Sequence, residues 1–160
     1  MLAIATFNVF RVNSNKSISL DKLATELAEN SMEAEEMGQV LNQVLSNNFG
    51  VNVLVKGDRF VEFESLQVNP RYLGTKIWVL PINNFIEKFY KKNKHLVMLI
   101  HAFPLEYRSI VYAPNFPISF KEKFNHRLLA MLSYYSCVLH SERVGSTEWL
   151  FRILNDPRVH

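Results

Sequence analysis

Residues 18–64 decide the fold, and they read ISLDKLATELAENSMEAEEMGQVLNQVLSNNFGVNVLVKGDRFVEFE. Apolar residues recur at helical spacing over 20–27, and Ser19 precedes them as a candidate N-cap. The same spacing predicts a second helix over 31–47, and Gly50 supplies a C-terminal stop. The stretch therefore opens with two consecutive amphipathic helices.

The helices are followed by two β-rich runs, VNVLVK (51–56) and RFVEFE (59–64). The Gly57-Asp58 pair between them is typical of a tight two-residue hairpin loop. Across that loop Lys56 would lie opposite Arg59, so the predicted hairpin over 51–64 has a basic tip.

Two capped helices followed by a tight hairpin resemble a winged-helix domain, a class of helix-turn-helix fold. The resemblance covers residues about 2–64 and rests on the order of the elements. Residues 2–12 are mostly apolar and would form the first helix, with a strand as the alternative. Winged-helix domains include both DNA-binding and protein-binding members, so the fold does not decide the function.

The second helix is poorly suited to reading DNA. Its N-terminal end carries Glu33, Glu35 and Glu36, and no lysine or arginine lies between Lys22 and Lys56. Affinity for nucleic acid depends mainly on neutralising phosphates, which three carboxylates would repel. We therefore expect this helix to be a protein-docking face. Its candidate contacts are Glu33, Glu36, Gln39 and Gln43.

The charge of the chain divides near residue 68. Residues 1–68 hold five Lys/Arg against nine Asp/Glu, and residues 69–160 hold thirteen against six. This difference predicts two surfaces with different partners. We expect a winged-helix-like module over 1–68 and a basic, mainly helical extension over 69–160, although 160 residues could also form one compact domain.

The C-terminal half has several predicted elements. Asn84 would start a helix whose apolar side is Phe85, Ile86, Phe89 and Tyr90, and KIWVL before it is a possible short strand. Residues 95–103 are apolar on all sides and form a buried helix or strand. A strand over 107–113, a helix of about twenty residues from Ser119 and a last helix capped by Ser146 complete the chain. The fold class is thus α+β, with one or two short strands or a hairpin in this half.

Basic side chains form the candidate nucleic-acid contacts. Lysines interleaved with aromatic residues can track a phosphate backbone and stack bases, although the same pattern also fits a solvated helix face over a core. The candidates are Lys88, Lys91, Lys92 and Lys94, then Lys121, Lys123 and Arg127 on the long helix, with Lys56 and Arg59 at the hairpin tip.

Other function classes lack support in the sequence. The histidines and the one cysteine, Cys137, have no spacing typical of a metal site, and five glycines form no phosphate-binding loop. We therefore expect no metal, no cofactor and no enzymatic activity. The single cysteine and the lack of a long apolar segment favour a cytoplasmic protein without membrane contact. The sequence predicts a small regulator that binds nucleic acid through its basic C-terminal half. The alternative is a protein–protein adaptor or inhibitor that docks through helix 31–47 and hairpin 51–64.

Overall fold

The computed structural model describes residues 1–29, 31–104, 107, 115 and 117–158. It is a mixed α+β structure, as predicted. Its strands are β1 (Ala3–Arg11), β2 (Ile18–Ser19), β3 (Val53–Leu54), β4 (Arg59–Val68), β5 (His95–His101), β6 (Glu142–Arg143) and β7 (Trp149–Ile153). Its helices are α1 (Leu20–Ala28), α2 (Met32–Phe49), α3 (Val79–Phe85) and α4 (Ile118–Val138), with a 3₁₀ turn at Pro70–Tyr72 and a π-helical segment at Ile86–Lys91.

A five-stranded sheet with the order β1-β4-β5-β7-β6 organises the molecule. β4 and β5 are parallel, and the other neighbouring strands are antiparallel. Strands from both predicted modules therefore belong to one sheet. β2 and β3 form a separate two-stranded sheet.

β5 lies at the centre of the sheet, and six of its seven residues are buried. Met98 and Ile100 contribute to the core on one face, while Val97 and Leu99 contribute to the core on the other. A strand that is covered on both faces needs no polar side, which explains why this run is apolar throughout. Of the two structures predicted for 95–103, the strand is correct.

Helices cover both faces of the sheet. α1 and α2 pack on the face of Val97, and they approach so closely that a Cβ on Gly38 would lie 2.8 Å from the Ala24 Cα. The other face packs against α3, the π-helical segment and α4, whose buried residues include Phe124, Leu128 and Leu132. The result is a three-layer arrangement of helices, sheet and helices.

The helix expected over 2–12 is instead the edge strand β1. Its antiparallel pairing with β4 places Phe7 opposite Phe63 and Phe10 opposite Phe60. The second pair stacks with ring centroids 4.8 Å apart. Cross-strand aromatic pairs of this kind stabilise a sheet, and they form between segments that are distant in sequence.

The hairpin predicted over 51–64 is wrong in its pairing. Both runs contain strands, but β3 pairs with β2, and β4 pairs with β1 and β5. The chain does turn between them, because the Asp58 amide donates to the Val55 carbonyl at 3.0 Å. Gly57 has φ +94° at the third position of this turn, so the turn is centred one residue earlier than predicted.

The predicted helix over 31–47 is confirmed as α2. Ser31 caps it, because its Oγ accepts a hydrogen bond from the Ala34 amide at 3.0 Å. Gly50 ends it in the left-handed conformation with φ +63°. The resemblance of this region to winged-helix domains stays a prediction.

Three expectations for the C-terminal half differ from the structure. The segment KIWVL (76–80) is not a strand, and its last two residues begin α3. The helix expected to start at Asn84 therefore starts at Val79, and it continues past Asn84 as the π-helical segment. The long helix begins at Ile118, and its N-cap is Pro117 and not Ser119. The last predicted helix is instead strand β7, which pairs with β5. Its neighbouring residues Trp149 and Leu150 are both buried, one on each face of the sheet.

A strand is also predicted over 107–113. Only Tyr107 of that range belongs to the described residues, so the rest of the predicted strand lies outside them. Over the described ranges, no helix is long and apolar enough to cross a membrane.

Candidate nucleic-acid interface

A basic cleft of about 530 Å³ lies where β1 ends and where β4 begins. We use the name basic cleft for the site lined by Arg11, Val55, Lys56, Gly57, Asp58, Arg59, Lys92, Asn93 and Lys94. Five of these side chains are cationic and one is a carboxylate. They come from three segments of the chain that are far apart in sequence.

Arg11 and Arg59 bring two of the positive charges of the cleft together. They are direct partners in the β1–β4 register, so their side chains leave the same face of the sheet. Among the described residues, no carboxylate forms an ion pair with either of them or with Lys92 or Lys94. Lys56 donates from Nζ to the Asn15 side-chain oxygen at 2.8 Å. With five cationic side chains and one carboxylate, the lining of the cleft has a net positive charge.

The Val55–Asp58 turn positions the cleft residues that precede β4. The Gly57 amide donates to the Val12 carbonyl, and the Val12 amide donates to the Asp58 carbonyl, each at 2.9 Å. These two hydrogen bonds hold the turn against the end of β1. The Asp58 carboxylate accepts from the Val55 amide at 2.8 Å, so the one negative side chain of the cleft stabilises the turn.

The segment between the π-helical segment and β5 positions Lys92 and Lys94. Asn93 donates to the Phe89 carbonyl from its amide at 3.0 Å and from its side chain at 2.8 Å. Lys94 then adopts φ +59°, a left-handed conformation that is unfavourable for a lysine. This conformation turns the chain sharply into β5.

The positive charge also affects a buried neighbour, His95, which pairs with Arg59 in the β4–β5 register. Burial lowers the pKa of His95, and repulsion from Arg59 lowers it further, against the opposing effect of the Tyr90 carbonyl. That carbonyl lies 3.1 Å from the His95 Nδ1. The imidazole behind the cleft is therefore neutral near pH 7.

The structure brings four of the nine predicted nucleic-acid contacts into this cleft, namely Lys56, Arg59, Lys92 and Lys94. Lys88 is exposed on the π-helical segment, close in sequence but outside the lining of the cleft. Lys91 forms an ion pair with Glu87 at 3.2 Å.

The remaining three predicted contacts, Lys121, Lys123 and Arg127, lie apart from the cleft on α4. Lys123 is near the ring of Phe120, with Nζ 5.8 Å from the ring centroid. Lys123 and Arg127 line a different pocket, and none of its described lining residues also lines the basic cleft. The predicted basic surface is thus two separate surfaces.

The predicted protein-docking residues are also divided. Glu36, Gln39 and Gln43 line a groove of about 320 Å³ together with Glu148 and Trp149. Glu33 points elsewhere and contacts His101 at the C-terminal end of β5, with Oε1 3.1 Å from Nδ1. The acidic end of α2 therefore lies at the end of β5 opposite to the basic cleft.

His101 is a titratable residue with an aromatic neighbour and two carboxylate neighbours. Its ring stacks on Trp149 at 4.3 Å, and its Nε2 lies 3.5 Å from a Glu148 carboxylate oxygen. Burial opposes protonation of His101, but Glu148 and Glu33 outweigh it and raise the pKa of the imidazole. Nearby, burial raises the pKa of Glu62 despite a hydrogen bond from Asn8.

A second and larger cleft of about 860 Å³ contains this histidine. Glu33, Glu62 and Glu64 line it with His101 and Arg127, so its charges are mixed. Among the described residues, no group of three or more His, Cys, Asp or Glu side chains is arranged to hold a metal ion.

The sequence interpretation missed Arg11 and Asn93 as parts of the cleft. Interpreting 2–12 as a strand would have placed Arg11 at a strand end. Its pairing with Arg59 depends on the β1–β4 register, which no local pattern encodes.

Chemically, the cleft offers hydrogen-bond donors and positive charge and no paired acid and base. Such a lining can bind anionic groups such as phosphates. Comparison of the chain with protein-family models, with curated proteins and with solved structures finds no significant match.

Proposed function

We propose that the protein is a non-enzymatic nucleic-acid-binding protein and that the basic cleft is its interface. The observation that supports this most strongly is the convergence of five cations from three chain segments. Two of them, Arg11 and Arg59, are direct neighbours across two strands. Adjacent like charges are unfavourable for folding, and phosphates would compensate them.

The proposal changes the interface inferred from sequence alone. The leading prediction assigned binding to the basic C-terminal half, whereas the cleft takes Arg11, Lys56 and Arg59 from the N-terminal half. The two consecutive helices α1 and α2 are what still resembles a winged-helix module, since 2–12 is strand β1 and β3 does not pair with β4. In this proposal the nucleic acid contacts the turn at Val55–Asp58 and not the acidic helix α2.

Salt-dependent binding tests the proposal. A fluorescein-labelled oligonucleotide of about 12 nucleotides is titrated with protein and followed by anisotropy. If about four cations neutralise phosphates, the slope of log K against log salt is about −3 for a single strand. Affinity then falls roughly 50-fold between about 50 and 200 mM salt.

A matched pair of variants locates the interface. Arg59→Glu/Lys94→Glu should abolish binding, because it reverses two charges in the cleft. Lys121→Glu/Lys123→Glu makes the same change in net charge on α4 and should retain binding. Absent or salt-insensitive binding, or an equal loss in both variants, contradicts the proposal.

A second candidate function is the protein adaptor. It is favoured by the groove in which Glu36, Gln39 and Gln43 lie beside Trp149. A pull-down with the wild type and with Glu36→Arg/Gln39→Arg/Gln43→Arg tests it. A stoichiometric partner that the triple variant loses, and that Lys121→Glu/Lys123→Glu retains, supports the adaptor.

A further inference from the structure

We infer that the basic cleft accepts single-stranded nucleic acid in preference to a duplex, and that Phe85 and Phe89 stack the bases. We call these two rings the aromatic platform. The inference rests on the proposed function, because it specifies the kind of nucleic acid that the same cleft binds.

The platform is exposed although its residues are large and apolar. Phe85 is 44% exposed and Phe89 is 48% exposed. Their rings are stacked on each other, with centroids 5.3 Å apart and an interplanar angle of 7°. A flat apolar surface of this kind matches the π-face of an unpaired base.

Buried rings hold the platform in place. Tyr90 is buried, and its ring meets Phe85 edge-on at 5.4 Å and Phe89 edge-on at 5.2 Å. Phe7 of β1 also contacts Phe85, with centroids 5.9 Å apart. The exposed rings therefore lose little conformational freedom when a ligand binds.

The platform is connected to the cleft through the backbone of Phe89. Asn93, which lines the cleft, donates two hydrogen bonds to the Phe89 carbonyl. Along β1, side chains alternate between faces, so Arg11 shares the face of Phe7. Phosphates in the cleft and bases on the platform would thus be neighbouring parts of one strand.

A duplex fits this surface less well. Its bases are stacked on each other inside the helix and cannot reach the platform without unpairing. The helix that could enter a groove, α2, has its acidic end against His101 at the far end of β5. Cations beside exposed aromatic rings instead form the usual binding surface for single strands.

The experiment compares the wild type with Phe89→Leu, which keeps an apolar side chain and removes the aromatic face. The probes are one labelled oligonucleotide as a single strand and as a duplex, and inorganic polyphosphate as a polyanion without bases. Phe89→Leu should weaken single-strand binding about tenfold and leave the salt slope unchanged, because no charge is lost. Duplex and polyphosphate affinities should not change.

Two further variants keep the result interpretable. Phe120→Leu removes a comparably exposed ring beside Lys123 and should leave all affinities unchanged. Phe89→Trp should retain single-strand affinity, and its fluorescence should be quenched by the single strand alone. Circular dichroism checks that each variant is folded.

The outcomes separate the two claims. Equal affinity for single strand and duplex, with no effect of Phe89→Leu, overturns the inference and leaves the basic cleft as a general polyanion site. A loss of self-association in Phe89→Leu with unchanged single-strand affinity assigns the platform to a protein contact and also overturns it. If no probe binds the wild type, the proposed function fails, and the inference fails with it.

Discussion

Arg11 and Arg59 lie directly opposite each other at the end of the β1–β4 pair, and no carboxylate among the described residues forms an ion pair with either. Like charges at such positions reduce the stability of a sheet. They lie at a cleft that also holds three lysines, and this concentration of positive charge is the basis of the proposed phosphate-binding role.

Arg11→Thr should change stability and binding in opposite directions. Removing one of the two repelling charges should raise the free energy of unfolding by about 0.2–1 kcal/mol. The same variant should bind a labelled single strand more weakly and with a shallower salt slope. Urea denaturation and anisotropy measure the two effects. The gain in stability should shrink at high salt, since salt screens the repulsion. A variant less stable than the wild type would contradict this account.

Lys94→Gly should also stabilise the protein while weakening binding. Lys94 has φ +59°, which glycine adopts without steric cost. The free energy of unfolding should rise by up to about 1 kcal/mol, reduced by the greater freedom of glycine in the unfolded chain. Lys76 is a matched control, because it has φ +54° and does not line the basic cleft. Lys76→Gly should give a similar gain without loss of affinity, and equal affinity losses would count against the cleft.

Glu87→Gln should destabilise the fold. Arg152 is only 9% exposed and donates to the Glu87 carboxylate at 2.6 Å, so the variant leaves a buried guanidinium without its counter-ion. We expect a loss of about 1–3 kcal/mol in urea denaturation. Lys91→Gln is the matched control, because it removes only the exposed ion pair with Glu87 and should cost less than about 1 kcal/mol. Equal losses in the two variants would show that the buried arginine does not depend on Glu87.

The ion pair between Glu87 and Arg152 also predicts that the stability of the fold depends on pH. Burial raises the pKa of Glu87, but the hydrogen bond from Arg152 and the charge of Lys91 outweigh it, so the pKa is lowered overall. The stabilisation is present above the ordinary glutamate pKa of about 4.3 and is lost as the pH falls through the folded value. The stability difference between the wild type and Glu87→Gln should therefore shrink below about pH 4. A difference that is independent of pH would contradict this assignment.

His101 should stabilise the fold mainly under mildly acidic conditions. Its pKa is raised by Glu148 and Glu33 against the effect of burial, with Glu62 nearby. The contribution is complete below the ordinary histidine pKa of about 6.5 and is lost as the pH rises through the folded value. The wild type should thus exceed His101→Gln in stability by more at about pH 6 than at about pH 8. An imidazole pKa below about 6.5 by NMR titration would contradict this.

The sequence predicted elements whose signals are local. The apolar stripe and the Gly50 stop of α2 lie within one segment, and the structure confirms both. The predictions from sequence were wrong where pairing between distant strands overrides the local pattern of apolar residues. Residues 149–153 have apolar residues that suit a helix, yet pairing with β5 makes them a strand.

The candidate site was predicted in part for the same reason. Lys92 and Lys94 stand out in sequence as a cluster, and Lys56 and Arg59 flank a recognisable turn. That these two groups meet, and that Arg11 joins them, follows from the β1–β4–β5 order of the sheet. Phe89 was expected either to stack bases or to lie in the core with Tyr90. The structure separates the two residues, because Tyr90 is buried and Phe89 is half-exposed.

Amide chemical-shift mapping with a single-stranded oligonucleotide tests the central claim most directly. Residues of the basic cleft, such as Arg11, Gly57, Arg59 and Asn93, should shift on titration, and the shifts should be reversed by added salt. Amides of α4 around Lys121 and Lys123 should stay unchanged. Shifts confined to α4, or no shifts at low salt, would contradict the assignment of the nucleic-acid interface to the basic cleft.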